Sequence, residues 1–126
     1  MICIELNFNS TKFNLTKDIA GYNGFGISFS LDGEGTSLAA NAEQNFTVPS
    51  NYRNWIAIFS YTPGANIWVD GINTAVVPGT TFSATTAELN PSARAVVAGQ
   101  KLSFITADTS TPWVSVKLLI INPYVN

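Results

Sequence analysis

Apolar and polar residues alternate one for one in several short stretches, and this alternation constrains the fold more than any other feature. It occupies residues 2–9, 25–32 and 101–106. A period of two places the apolar side chains on one face of a half-buried β-strand, whereas a helix would repeat them every three to four residues. The one helix-compatible stretch, residues 36–44, lacks an apolar stripe. The pattern therefore predicts an all-β chain.

Turn signals separate the apolar stretches at hairpin spacing. They are Asp32-Gly33, Pro63-Gly64, Asp70-Gly71, Pro78-Gly79 and Ala98-Gly99. Together with the composition of the segments between them, they predict about eight to nine strands. The predicted strands cover residues 2–8, 25–31, 55–61, 67–69, 74–77, 81–86, 93–97, 101–106 and 113–121.

This strand order predicts a two-sheet architecture. Helical segments do not alternate with the strands, so a parallel α/β sheet is disfavoured. The expected fold is an antiparallel two-sheet sandwich, jelly-roll-like. A chain of 126 residues matches one domain of typical size, so residues 1–126 are expected to form a single domain. Residues 1–20 are a candidate extended N-terminal arm.

Two predicted strands, residues 55–61 and 113–121, are apolar on both faces. In a two-sheet sandwich one face of a strand meets the core and the other meets solvent, so a second apolar face needs a further cover. Only 11% of the residues are charged, and the single cysteine, Cys3, allows no internal disulfide. These features indicate an obligate oligomer that gains stability from its interface.

Residue types suited to catalysis are scarce in this chain. There is no histidine, and Cys3 is the one thiol, which excludes Ser-His, Cys-His and zinc constellations. The acidic residues are dispersed, and Asp32, Asp70 and Asp108 occupy turn or loop positions where aspartate accepts backbone N–H groups. We therefore expect a non-enzymatic protein that binds neither a metal nor an organic cofactor.

Aromatic side chains near amides and hydroxyls have two interpretations. Tryptophan and tyrosine on strands fill or rim a β core, but exposed rings also stack on the apolar faces of sugars. Five strand residues are candidates for a subunit or ligand interface: Trp55, Phe59, Tyr61, Trp68 and Trp113. Two coplanar exposed rings would indicate a carbohydrate site, whereas rings buried between chains would indicate a subunit interface.

Charge and hydropathy restrict the other partners. Six Lys and Arg residues against eight Asp and Glu give a net charge of -2, which does not favour phosphate neutralisation, so no nucleic-acid partner is expected. No stretch reaches the 18 or so apolar residues of a membrane helix, and the N-terminus lacks the pattern of a signal peptide. We therefore expect a protein that is soluble as made and is not secreted.

Several segments of the second half resemble small β-sandwich virion structural proteins of tailed bacteriophages, of the capsid decoration or cement type. The similarity lies in the AIFSYTPGANIWV-like run at residues 57–69 and in the Leu-Asn-Pro turn at residues 89–91. It extends to residues 48–53, 98–103, 105–108 and 114–117. About 75 residues are covered in all, and the N-terminal third is not matched.

The resemblance implies a structural role without an active site. Proteins of this kind are jelly-roll-like, commonly trimeric, and bind the joints between major capsid proteins. It implies a virion protein on the capsid surface, assembled in the host cytoplasm as a homotrimer. The alternative is a carbohydrate-binding or host-attachment module of a phage fibre or tail.

Overall fold

The structure, a computed structural model, describes residues 30–79 and 85–121. In these residues the chain forms eight strands and no helix, which confirms the predicted all-β class and strand number. The strands are β1 Asp32–Ser37, β2 Gln44–Thr47, β3 Asn54–Tyr61, β4 Ile67–Asp70, β5 Glu88–Leu89, β6 Ala93–Val97, β7 Lys101–Thr106 and β8 Trp113–Ile120.

The strands form two four-stranded sheets in which every pairing is antiparallel. Sheet A has the order β1-β8-β3-β6, and sheet B has the order β2-β7-β4-β5. Strand β1 pairs with β8, β2 with β7, β3 with β6 and β4 with β5. This nested pairing of early strands with late ones is the arrangement of a jelly roll, and it confirms the predicted two-sheet sandwich.

The core lies between the two sheets and is built by alternate residues of the longer strands. In β8, Val114, Val116 and Leu118 face inward and are at most 2% exposed. Pairing with β3 adds a second inward row, and sheet B closes the core from the other side. The buried apolar cluster is Leu38, Val48, Trp55, Ala57, Phe59, Ala65, Ile67, Val69, Val96, Leu102, Phe104, Val114, Val116 and Leu118.

Two predicted turns are confirmed by their backbone geometry. Gly64 and Gly99 have φ angles of 80° and 79°, a left-handed conformation that glycine adopts without a Cβ penalty. The Ala65 N–H donates to the Thr62 carbonyl at 3.0 Å across the first turn, and the Gln100 N–H donates to the Val97 carbonyl at 3.1 Å across the second. These turns connect β3 to β4 and β6 to β7.

The predicted turn at Asp32-Gly33 is wrong, because both residues belong to strand β1. Asp32 lies opposite Leu118 and Gly33 opposite Lys117. The Asp32 carboxylate accepts the Gly33 N–H at 2.8 Å, so the aspartate does bind a local backbone donor. Pairing with β8 outweighs the turn preference of the Asp-Gly pair, as tertiary context does with weak local propensities.

The predicted hairpin at Asp70-Gly71 and the predicted strand at residues 74–77 are also wrong. Strand β4 ends at Asp70, and its next partner along the chain is β5, which starts at Glu88. Residues 74–79 have no regular structure. Hydrogen bonds to Asp70 and Ser103 instead fix the segment that follows β4 to sheet B.

Several predictions lie outside the described residues. These are the strand at residues 2–8, most of the strands at residues 25–31 and 81–86, and the candidate arm at residues 1–20. They stay predictions, as does the single-domain assignment of residues 1–126.

Candidate interaction surface

Two of the five aromatic candidates are core residues. Trp55 is 0% exposed, its indole N–H donates to the Tyr52 carbonyl at 3.0 Å, and the Tyr52 ring meets it edge to face at 5.6 Å. Phe59 is also buried, with its ring centroid 6.1 Å from that of Phe104 in sheet B. Both side chains are therefore buried in the core of this chain.

Tyr61 lies at the margin of the core. Its ring stacks on Phe59 at 6.4 Å, and its hydroxyl donates to the Pro91 carbonyl at 2.6 Å. Burial raises the pKa of the Tyr61 hydroxyl well above its usual range; nearby Arg94 opposes this shift and Glu88 adds to it. The phenol therefore stays protonated, and it ties β3 to the segment between β5 and β6.

The other two candidates lie on opposite outer faces of the sandwich. Trp113 begins β8 beside the inward-facing Val114, so it projects from sheet A, and it is 44% exposed. Trp68 lies between the buried Ile67 and Val69 of β4, so it projects from sheet B, where it is half-buried. The two indoles therefore do not form one coplanar platform, and both keep surface available to a partner.

The outer face of sheet B is partly covered by the connection that follows β4. Asp70 and Ser103 face outward opposite each other, yet they are 2% and 1% exposed. The Ala75 N–H donates to Ser103 Oγ at 2.8 Å, and this hydroxyl donates to the Glu43 carboxylate. The connection is thus fixed to the sheet by hydrogen bonds of buried groups.

Asp70 holds the start and the end of that connection. Its carboxylate accepts the Ile72 N–H at 2.7 Å, the Asn73 N–H at 2.9 Å and the Thr86 hydroxyl at 2.5 Å. Burial alone would raise the pKa of Asp70, but these three hydrogen bonds outweigh it and hold the pKa below its usual range. The carboxylate is therefore ionised at neutral pH and has a structural use.

The outer face of sheet A carries a continuous apolar surface. Ile56 lies opposite both Leu119 and Ala95, and Ile58 lies opposite Ala93. Ile58 is 39% exposed and Val97 is 50% exposed. We call this surface the sheet A patch, defined by Ile56, Ile58, Ala93, Ala95, Val97 and Leu119.

One charged side chain, Lys117, projects from the outer faces of the four described strands of sheet A. It lies opposite Gly33 on one side and Ile58 on the other. A Cβ placed on Gly33 would lie 3.1 Å from Lys117 Cδ, so the lysine stem crosses the glycine. Its ammonium donates to Ser115 Oγ at 3.1 Å. The lysine therefore lies along β1, away from the sheet A patch.

Among residues 30–79 and 85–121, clefts open at both ends of the sandwich, where the edges of the two sheets meet. The larger, about 190 Å³, lies between β5 and β6, and the smaller, about 60 Å³, lies between β1 and β2. The polar side chains of the larger cleft are Thr86, Glu88, Arg94 and Gln100. Each already has a partner within the chain. This cleft therefore offers no unpaired side-chain group that would orient a ligand.

Residues 30–79 and 85–121 contain no group of three or more Cys, Asp or Glu side chains placed to hold a metal ion. The same residues include no helix long and apolar enough to cross a membrane. Comparison of the chain with protein families, with curated proteins and with solved structures finds no match. Function is therefore inferred from the geometry of this chain.

The sequence signals part of the sheet A patch. The doubly apolar run at residues 55–61 signals the outward Ile56 and Ile58, and the end of β8 signals Leu119. The contribution of Ala93, Ala95 and Val97 was not recognised, because alanine carries little hydrophobic signal and the pairing of β6 with β3 is a long-range contact. Nor did the sequence signal that Lys117 folds over Gly33.

Proposed function

We propose that this protein is a non-enzymatic virion structural protein, a capsid decoration protein that forms a homotrimer on the outer capsid surface. The observation that carries the proposal is the sheet A patch, a nearly uncharged outer sheet face in a small antiparallel sandwich. Such faces are normally polar, because they meet water. Contiguous exposed apolar surface on a small protein is typical of protein–protein contact.

The composition supports assembly through neutral contacts. With 11% charged residues, the chain has few charges with which to form a charge-steered interface. Association then depends on apolar burial, backbone pairing and neutral hydrogen bonds, which suit a subunit that binds many equivalent sites. The proposed partners are other copies of this chain and the major capsid protein, and the proposed location is the virion surface after assembly in the host cytoplasm.

The alternative, a carbohydrate-binding or host-attachment module, finds less support in the described residues. A sugar platform needs rings that share one surface. Trp68 and Trp113 lie on opposite sheets, and Tyr52 packs against the buried Trp55. No specific observation favours this second function, and it is an outcome of the test below.

The proposal predicts binding that resists salt. Purified protein should have the mass of a trimer by light scattering, and it should co-sediment with capsids of the tailed phage that encodes it. The bound fraction should persist in about 1 M sodium chloride, because salt shortens the Debye length from about 10 Å at 0.1 M to about 3 Å at 1 M yet leaves apolar contacts intact. Particles that lack the protein should rupture at lower temperature.

A pair of variants matched in exposure controls this experiment. Val97→Asp charges the sheet A patch at a residue that is 50% exposed, and Leu89→Asp charges sheet B at one that is 46% exposed. The first should weaken capsid binding or trimer formation, and the second should not. Release by salt alone, or depleted particles of unchanged robustness, would contradict the capsid role and favour host attachment.

A further inference from the structure

We infer that the cleft between β5 and β6 is a docking site for one aromatic side chain of a partner protein. The cleft has a volume of about 190 Å³ and lies where the edges of the two sheets meet. The inference goes beyond the virion role and does not depend on it. Three features of the described residues carry it: an apolar floor, an arginine at the mouth and an exposed isoleucine at the rim.

Core residues form the floor of this cleft, and a pair of charged side chains lies at its mouth. Glu88 on β5 is opposite the buried Val69, and Arg94 on β6 is opposite the buried Ala57, so both side chains point into the space between the sheets. Arg94 Nη2 lies 2.5 Å from Glu88 Oε1, and both side chains are about half exposed. Behind this pair the lining residues are at most 6% exposed; they are Phe59, Val69, Val96 and Leu102.

The polar groups of the cleft are already paired, so an apolar ligand suits it better than a polar one. Thr86 donates to Asp70, and Gln100 accepts the Val97 N–H and donates to the Gly71 carbonyl. Among the described residues, no buried side-chain nitrogen or oxygen lacks a hydrogen-bond partner. A bound water needs two to four polar partners, whereas an apolar cavity of about 150 Å³ stays dry and binds benzene. The cleft therefore has room for one six-membered ring.

Arg94 favours an aromatic ring over a saturated one. Its Nε donates to Glu88 at 2.8 Å, and its Nη1 donates to the Ala93 carbonyl. These N–H groups point outward in the plane of the guanidinium, so its flat faces stay available to a ring. A guanidinium attracts the face of an aromatic ring, which at exposed sites raises affinity about two- to fivefold. A saturated ring of the same size gains nothing from the charge.

The exposure of Ile72 indicates that the ring belongs to a larger molecule. Ile72 lines the same cleft and is 77% exposed, more than any other large apolar side chain among the described residues. Its backbone N–H is held by Asp70 at 2.7 Å, so the side chain is kept at the rim. A free ring inside the cleft would leave Ile72 in water. The peptide backbone that carries an aromatic side chain would pass over it and remove this apolar surface from water.

Methyl NMR spectra of the purified protein test the inference. Three probes are titrated to about 10 mM: N-acetylphenylalaninamide carries a ring on a peptide backbone, toluene is a free ring, and N-acetylalaninamide is the backbone without a ring. We expect N-acetylphenylalaninamide to bind with a dissociation constant of about 1 to 10 mM. It should shift the methyl signals of the cleft, and N-acetylalaninamide should not; those signals are from Val69, Ile72, Val96 and Leu102.

Two valine variants matched in burial locate the binding. Val96→Phe adds a ring at the floor of the cleft, whereas Val48→Phe adds one at a core residue that lines neither cleft. Val96→Phe should keep a melting temperature close to that of the wild type and bind N-acetylphenylalaninamide at least about tenfold more weakly. Val48→Phe should melt at a lower temperature, because a packed core resists added volume. Full binding by a folded Val96→Phe would overturn the inference.

A second pair of variants tests the preference for an aromatic ring, and it does not depend on the folding of Val96→Phe. The affinity of N-acetylphenylalaninamide is divided by that of its saturated analogue, N-acetylcyclohexylalaninamide. This ratio should fall about twofold or more in Arg94→Met and stay unchanged in Arg53→Met, where the arginine is exposed and does not line the cleft. A ratio that Arg94→Met leaves unchanged would overturn the assignment to an aromatic side chain.

The remaining outcomes also decide the inference. Shifts of the cleft methyls by toluene alone would overturn it, because the cleft would then accept a free ring but not a side chain. Shifts by none of the probes would overturn it as well. Equal shifts of Ile56 and Ile58 would show that the probes bind exposed apolar surface in general. Capsid binding is not measured in these experiments, so their failure leaves the virion role standing.

Discussion

Replacing Asp70 by alanine is expected to lower the free energy of unfolding by about 3 kcal/mol. The side chain is 2% exposed and accepts hydrogen bonds from two backbone N–H groups and the Thr86 hydroxyl. Alanine leaves these donors without their acceptor, and it releases the connection from sheet B at both of its ends. Urea denaturation followed by tryptophan fluorescence measures the effect.

A matched aspartate provides the control for this variant. Asp108 accepts one backbone hydrogen bond, from the Asn66 N–H at 2.9 Å, and is half-buried. Asp108→Ala should therefore cost about 1 kcal/mol. If Asp70→Ala were no more destabilising than Asp108→Ala, the connection would not depend on Asp70 for its position.

Acid should remove the contribution of Asp70. Because its folded pKa lies below the usual value, the unfolded chain binds a proton more readily than the folded chain does. The stabilisation is complete above the unfolded pKa of about 3.9 and is lost as the pH falls through the folded pKa. The stability difference between the wild type and Asp70→Asn should therefore shrink as the pH falls below about 4, as measured by thermal melts.

The sequence predicted best the strands whose apolar residues face a core. The predicted ranges of β6 and β7 match those of the structure, and those of β3, β4 and β8 differ by one residue at an end. In each, a buried row of alternate side chains produces the period of two, as Val114, Val116 and Leu118 do in β8. In these strands every second side chain is apolar because it is buried in the core, so the alternation in the sequence predicts the strand.

Strand β1 was missed because its residues carry no hydrophobic signal. Its six residues are all exposed, and two of them are glycines. It is held by backbone pairing with β8, a contact between residues about 80 positions apart. The strand predicted at residues 74–77 is absent although its residues do carry a hydrophobic signal. That signal reflects the burial of Ala75 against sheet B, which occurs without strand pairing.

The sequence indicated a second apolar face on β3 without showing which residues form it. The run at residues 55–61 shows that β3 is apolar on both faces, but large aromatic rings drew attention to Trp55 and Phe59. The register with β8 places these two rings inside and Ile56 and Ile58 outside. A one-residue change of phase exchanges the two faces of a strand, and tertiary packing fixes that phase.

Replacing Gly33 by valine is expected to weaken homotypic association at least about tenfold while the fold is retained. A Cβ on this residue would lie 3.1 Å from Lys117 Cδ, so the lysine stem must move. The side of Lys117 away from β1 faces Ile58 and the sheet A patch. Displacement in that direction places an ammonium at the sheet A patch, where a subunit contact would bury an unpaired charge, which is unfavourable. Sedimentation velocity over a concentration series measures the change.

Two further variants separate the movement of Lys117 from a general effect of valine on β1. A Cβ on Gly35 would lie 3.5 Å from the Val114 carbonyl oxygen, an ordinary contact, and has no contact with Lys117. Gly35→Val should therefore associate like the wild type. Adding Lys117→Met to Gly33→Val removes the displaced charge and should restore association. Equal weakening by both valine variants, or no rescue by methionine, would show that the position of Lys117 does not control the contact.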